Sequence, residues 1–320
     1  MASRCLIGVQ AMVLSVTLVF LSLTRISLAA RRLPDLQQAP ASDGLSYHGG
    51  AVLHGDIPVT IVWYGQFKPA QKAIVVDFIL SLTSTSHAAT PSAAQWWGTI
   101  DSSYLQPQNA TNSNAPSSTT RVLLAGQVTD ERYSLGKSLS LVQIFQLAAA
   151  TLPEKGSVVA VLTDRDVVVE GLCSARCGVH GADAGAGYAY AWVGDAGRAC
   201  PGQCAWPFAR PAYGPQDEPL APPNGDVGAD GMVATLAGVL ADAVTNPFGD
   251  GFYQGEKDAA LEVCAACAGM YGSGAYPGYP GKVLVDETTG GSYNAFGANG
   301  RKYLLPAVYD RAKQDCSTLV

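Results

Sequence analysis

The chain of 320 residues carries 26 acidic and 20 basic side chains, a net charge of −6 with its four histidines neutral. An acidic surface repels polyanions, which excludes nucleic acid as a partner. The length suffices for one large domain or two small ones.

The first element is a leader. "MASRCLIGVQAMVLSVTLVFLSLTRISLAA" sets Arg4 before an apolar run from Leu6 to Leu23, with the small residues Ser27 and Ala29 spaced for signal peptidase. The pattern predicts a signal peptide over residues 1–29, export, and a mature chain two charges more negative once Arg4 and Arg25 are gone. An uncleaved anchor is the competing reading, but Arg25 and the small-x-small site favour removal. No later segment reaches the roughly 18 apolar residues that span a bilayer, so no stable membrane insertion is expected after cleavage.

Residues 30–44, polar and proline-bearing, read as a flexible lead-in to a folded domain over 45–320. In "IPVTIVWYG" a β-branched apolar run, Val59 to Tyr64, is bounded by Pro58 and Gly65, as in a buried strand. "KPAQKAIVVDFILSLTS" follows with Ile74, Phe78 and Leu82 at helical spacing and Pro69 in the first turn. "YLQPQNATNSNAPSSTT" is loop by composition, and its "NAT" makes Asn109 the expected N-glycosylation site of an exported glycoprotein. "RVLLAGQV" and "GSVVAVLTD" read as strands with the amphipathic "SLSLVQIFQLAAATL" as the crossover helix between them. That is the βαβ unit of a parallel sheet, with antiparallel edges as the alternative.

From Cys173 to Asp230 the texture turns to Gly, Pro and Cys around one strand, "GYAYAWVGD". Then come the long helix "DGMVATLAGVLADAVTNP", a short helix in "AALEVCAACAGM", and a tail of turns and short strands rich in glycine and tyrosine. The expected fold class is α/β: a single domain with a central mixed, partly parallel sheet flanked by helices, and a disulfide-stabilised, loop-rich C-terminal third. Beyond Cys5 in the leader stand Cys173, Cys177, Cys200, Cys204, Cys264, Cys267 and Cys316. In an oxidising compartment these form about three bridges and leave one thiol over, with the connectivity open. Zinc held by "CSARC", "CPGQC" and "CAAC" is the alternative, disfavoured by irregular spacing and by export.

The long helix is where chemistry would sit. Asp230 offers an N-cap and Pro247 a stop. Leu236, Val239, Leu240, Ala243 and Val244 form an apolar stripe for the core, while Thr235, Gly238, Asp242 and Thr245 form a second, polar one. A metalloprotease helix carries two ligands at i and i+4, with a glutamate general base beside the first. Gly238 and Asp242 have that spacing and Val239 the base position. Gly238 has no side chain, Val239 accepts no proton, and one carboxylate cannot hold zinc by itself. No metal, cofactor or catalytic residue is therefore assigned, and three ligating side chains converging beside this helix would overturn that assignment.

Other candidates are weaker. His180 follows Cys177 by three residues, which invites a thiol catalyst; a bridged cysteine and a loop histidine are the plainer reading. His48 and His54 lie beside glycines, as exposed turn positions without an identifiable partner. Asn224, Asp226 and Asp230 resemble a calcium loop only in part, lacking its later glutamate, and N-capping is the plainer job. Asp164 and Asp166 follow a strand, where paired acids for glycoside cleavage could stand, with solvated loop charges as the default. Tyrosines of the tail can stack on sugar faces or lock loops together.

"CPGQCAWPF", "PNGDVGADGM", "TNPFGDGFYQG", "GAYPGYPGKVLVD" and "NAFGANGRKYLLPAVYD", with the ending "CSTLV", resemble the plant Exordium, or phosphate-induced protein, family. The resemblance covers essentially the whole mature chain. It implies a secreted protein of the apoplast or cell wall, linked to brassinosteroid-responsive growth and to carbon and phosphate status, without a settled activity. More distant secreted relatives carry a His-Glu pair in the helix before the "TNP" turn, similar to a zincin helix, and the matching places here are Gly238 and Val239. The resemblance thus implies a zincin-like scaffold that has lost its metal. The reading reached is a non-enzymatic protein that binds a wall polysaccharide or another secreted or receptor protein. A hydrolase on the degenerate zincin-like scaffold is the alternative.

Overall fold

The computed structural model describes residues 44–83, 89–106, 119–211, 214 and 218–320; the leader, His87 and Asn109 lie outside them. Five strands build the central sheet: β1 Asp56–Tyr64, β2 Arg121–Asp130, β3 Val158–Thr163, β4 Gly178–Asp183 and β5 Tyr188–Gly194. Their order is β2-β1-β3-β5-β4, with β2, β1, β3 and β5 parallel and β4 returning antiparallel along one edge. The helices are α1 Pro69–Ser81, α2 Ala93–Ile100, α3 Leu141–Ala149 and α4 Val227–Thr245.

Strand periodicity sorts the core into two faces. Ile57, Val59, Ile61 and Trp63 of β1 point to one side and pack with Phe78 of α1, Trp96 of α2 and Leu236 and Leu240 of α4. Val62 and Tyr64 point to the other, where Val159, Val161 and Trp192 meet Ile144 and Ala148 of α3. All six residues of β3 are buried, because helices cover both faces of a parallel sheet, and this makes "VVAVLT" apolar up to Thr163, whose hydroxyl accepts the Trp192 indole N–H. The predicted crossover helix α3 is present, started by a reciprocal capping box of Ser140 and Gln143. Pro58 lies within β1 instead of bounding it. Pairing with β3 begins only at Val59, so the missing N–H sits ahead of the second ladder.

Three expectations change. Helix α4 begins four residues before the start marked by Asp230, since of the two capping candidates Asp226 is the N-cap, its Oδ1 accepting from the Ala229 N–H at 3.0 Å. At 19 residues α4 is also long and apolar enough to cross a membrane by length and composition, contrary to expectation, although it is mostly buried inside the fold. The segment read as a short helix in "AALEVCAACAGM" has only a 3₁₀ turn, Ala265–Cys267. Leu261 is bridged to Gln254 and Cys267 to Cys316, and these tertiary ties override the helix propensity of its alanines.

Among the described residues the disulfides join Cys173 to Cys200, Cys177 to Cys204 and Cys267 to Cys316, leaving Cys264 as a buried thiol. The first two tie the run just before β4 to the run just after β5, and the third ties together part of the tail, where strands are only two or three residues long. Closing a loop of 49 residues restricts the unfolded chain, so Cys267→Ala with Cys316→Ala is expected to cost about 4 kcal/mol. Urea midpoints of the oxidised wild type and the double variant check this; coincident midpoints would reject it.

Candidate functional site

The polar stripe of α4 faces protein, not solvent, and around it a buried polar cluster is assembled from three elements. Asp242 and Asn246, one turn apart, come from α4; His180 comes from β4; Glu262 and Cys264 come from the segment after Leu261. His180 Nε2 lies 2.8 and 3.0 Å from the two oxygens of Glu262. Asn246 donates its Nδ2–H to Glu262 Oε1 at 2.5 Å and accepts the Gly251 N–H at 2.7 Å. Asp242 Oδ1 accepts the Cys264 N–H at 2.8 Å. Gly238, on the same stripe, looks onto Cys264, whose Cβ would lie 3.5 Å from a Cβ placed at the glycine; Val239 is only partly buried against the core.

Environment sets the proton affinities. Burial, together with the charge of Glu262, raises Asp242 to about 7. Burial would lower the imidazole, but the hydrogen bond and charge of Glu262 outweigh it and hold His180 above its ordinary value. Burial and the charge of Asp242 push the Cys264 thiol well up, so it stays neutral and a poor nucleophile. His180 Nδ1 is buried without a hydrogen-bond partner among the described residues.

Four side chains of ligand type, His180, Asp242, Glu262 and Cys264, thus do meet beside α4. Glu262 takes His180 Nε2 and Asp242 Oδ1 accepts the Cys264 N–H, and among the described residues no group of three His, Cys, Asp or Glu side chains is placed to hold a metal ion. The histidine expected in a loop is in a strand and paired. Cys177 is bridged, as the plainer reading of "CGVH" has it. His48 also has partners, contrary to expectation: its ring stacks on Tyr253 with centroids 3.6 Å apart, and Nε2 lies 3.1 Å from the Tyr253 carbonyl. His54 is exposed.

The C-terminal ends of the parallel strands carry a second group of acids. The chain goes from β1 to β2 on one side and from β2 to β3 on the other, so the sheet order reverses between β1 and β3, where such folds place ligands. Asp164 stands there, buried and not solvated as expected: Oδ2 accepts the Gln66 N–H at 2.6 Å and the Tyr133 hydroxyl at 2.8 Å, and Oδ1 accepts the Asp166 N–H at 2.9 Å. Asp166 is exposed and pairs with Lys137 and Arg198. The two acids form a turn, one anchoring the other, and do not face each other across a cleft. Asn224 and Asp230 are likewise occupied: Asp230 receives the Asn224 N–H at 2.9 Å and its Nδ2–H at 2.6 Å, while burial raises its carboxyl to about 6.

A polar cleft of about 500 Å³ opens beside Asn224, lined by Asp77, Asp286, Arg301 and Lys302 among others, and more apolar space lies on the bridged loops. A cleft of about 550 Å³ is lined by Trp206, Pro211, Glu218, Leu220, Tyr279 and Lys282 among others. A smaller one of about 280 Å³ shares Trp206, Pro211 and Gly278 with it and continues along Gln203 and Gly269. "YPGY" builds one wall. Pro277 presets the first central position of a tight turn, Gly278 takes the second at φ +91°, which a side chain would resist, and Tyr276 and Tyr279 pair across it with rings 5.1 Å apart. Trp206 follows bridged Cys204 by two residues, and Gly269 follows bridged Cys267 by two, so both sides of the clefts are framed by disulfides. Sequence reasoning named the tail tyrosines but missed Trp206 and Glu262. A lone glutamate inside "AALEVCAAC" was the available signal, since a carboxylate among apolar neighbours needs a partner.

These features define an α/β protein with a five-stranded mixed sheet, a buried polar cluster on its longest helix and a disulfide-framed aromatic cleft. Residues 45–319 match the family model described as the phosphate-induced protein 1 conserved region, and the chain belongs to that family. It is 52% identical to Protein PHOSPHATE-INDUCED 1 of Nicotiana tabacum over 308 residues, covering 94% of this chain and 96% of the relative. It is 51% identical to Protein EXORDIUM of Arabidopsis thaliana over 310 residues, covering 94% and 97%. Protein EXORDIUM-like 1 of the same plant is 51% identical over 281 residues, covering 85% and 89%. No solved structure matches the chain.

Proposed function

We propose that this chain is a secreted protein of the cell-wall space that acts without chemistry of its own, by binding a wall polysaccharide in the cleft beside Trp206 and Tyr279, and that this binding serves brassinosteroid-responsive growth. The observation that carries the reading is the cleft itself. Aromatic faces offer sugar rings flat apolar contact, while Glu218 and Lys282 on its lining supply polar contacts. Disulfides on both sides hold these groups in place before a ligand arrives, which lowers the ordering cost of binding.

The test is binding of purified, oxidised protein to fractionated wall glycans by calorimetry. Trp206 is half-buried, and losing a stacking indole is expected to weaken binding by about tenfold in Trp206→Ala, a loss of roughly 1.4 kcal/mol. Absence of binding to any glycan, or unchanged affinity in the variant, would sink the reading. A second reading, a hydrolase on a degenerate zincin-like scaffold, draws on one observation, the hydrogen-bonded pair of His180 and Glu262, two groups able to exchange protons. Hydrolysis of peptides or wall glycans by the wild type that is lost in Glu262→Gln would favour it.

A further inference from the structure

The buried cluster and the aromatic clefts are connected by two short runs of chain. His180 is the third residue of β4, and the residue before that strand, Cys177, is bridged to Cys204, two residues ahead of Trp206. Glu262 is followed by Cys264, by bridged Cys267, and by Ala268 and Gly269, which line the smaller cleft. Gly269 lies directly under the indole: a Cβ there would sit 3.2 Å from Trp206 Cζ3, and its φ of +76° is one side chains resist. The contact between His180 and Glu262 therefore fastens together two runs of chain on opposite sides of the Trp206 site, one reaching it through the Cys177–Cys204 bridge and the other a few residues later.

We propose that His180, Glu262 and Asp242 form a proton-operated latch, which in mild acid holds the segment 261–269 against β4 and keeps the Trp206 clefts formed, and above neutrality releases it. The charge count explains the direction. In acid the imidazolium and the Glu262 carboxylate neutralise each other beside an uncharged Asp242. Once Asp242 ionises and His180 loses its proton, two carboxylates share a buried site with no cation between them, an arrangement that is costly in a low-dielectric interior. The groups facing this site are His180 from β4, Asp242 from α4 and Asn246 from its C-cap, and Glu262 with the neutral Cys264 thiol from the segment itself, with Tyr104 and Tyr271, both raised chiefly by burial and therefore neutral, interacting with Cys264. His180 is the sole cationic group paired with Glu262 among the described residues. The raised proton affinities of His180 and Asp242 set the release near neutral pH.

The latch does not depend on what fills the clefts; its effect on a ligand rests on the polysaccharide reading. It is tested first without ligand, by hydrogen exchange of the full secreted chain, corrected for the intrinsic pH dependence of exchange. The reporters are amides 261–267, which include Cys264 N–H on Asp242, Ala266 N–H on the Glu262 carbonyl and Leu261 N–H on the Gln254 carbonyl. Wild-type protection of this segment is expected to fall by about tenfold between about pH 5.5 and about pH 8.5, while β3 holds its own.

Asp242→Asn keeps an acceptor for Cys264 and removes a charge, so it is expected to retain protection at the higher pH. Glu262→Gln should do the same if Asp242→Asn does not fold. His180→Gln, which can still donate to Glu262 but carries no charge, is expected to lose protection already in acid. Equal wild-type protection at both pH values, or an unchanged pH midpoint in both carboxylate variants, overturns the latch. Glycan affinity measured across the same pH range reports separately. Absence of glycan binding at every pH rejects the polysaccharide reading and leaves the exchange result to decide the latch.

Discussion

Thermal melts of the purified protein are expected to show highest stability in mild acid and a decline as pH rises through neutrality. Asp242, raised to about 7, and Asp230, raised to about 6, both chiefly by burial, hold protons in the folded state that the unfolded chain has already lost. A group whose folded pKa lies above its unfolded value contributes stability that is fully present below the unfolded pKa and lost as pH climbs through the folded one. For the two aspartates that window runs from about 4 to about 7. His180 adds to the same side, since its pKa is raised above 6.5 despite burial.

Asp286 acts oppositely: its hydrogen bond with Lys302 holds it down to about 2, so its contribution disappears only in strong acid. A tenfold gain in proton affinity on folding is worth about 1.4 kcal/mol, and the buried aspartates together should change stability on the order of 5 kcal/mol across the window. Calorimetric melts between about pH 4.5 and about pH 8.5 check the sign. A melting temperature that is level or rises over that range rejects it, and combining Asp242→Asn with Asp230→Asn should flatten the profile.

The second large effect concerns the pair itself. His180→Met leaves Glu262 nearly buried, with Asn246 as its remaining hydrogen-bond donor, and is expected to cost about 3 kcal/mol at neutral pH. Replacing both partners, His180→Met with Glu262→Met, removes the unpaired charge and should recover most of that loss. Guanidinium unfolding of the two variants decides it. A double variant no more stable than the single one would mean that the damage is a packing defect and that the unpaired charge matters little.

What could be read in advance was whatever is encoded locally. The run Val59 to Tyr64, the apolar run of β3 and the capped α3 are legible from their own residues, and the expected parallel crossover from β2 through α3 to β3 is present, with β1 lying between the two strands. Strand β4 was illegible because "GVHGAD" has neither alternation nor β-branched content beyond one valine; it is a strand only because β5 pairs with all six of its residues. The alanine-rich segment around Cys264 misled for the converse reason: its local preference is helical, and the bridge to Cys316 together with Glu262 decides otherwise. Asp164 looked like a loop charge because its three donors come from positions 66, 133 and 166. The polar stripe of α4 was visible as a stripe, but that it faces His180 and Glu262 depends on contacts 62 and 20 residues away from Asp242.

The odd sulfur has a consequence for how the molecule matures. Cys264 stands three positions from Cys267, yet it is sealed in the interior and its thiolate is suppressed. Exchange with a neighbouring bridge needs an ionised attacker with access to the bond, and the finished interior denies both. Wrong pairings can therefore arise only while the chain is still open, so the window for error closes when the hydrophobic interior does.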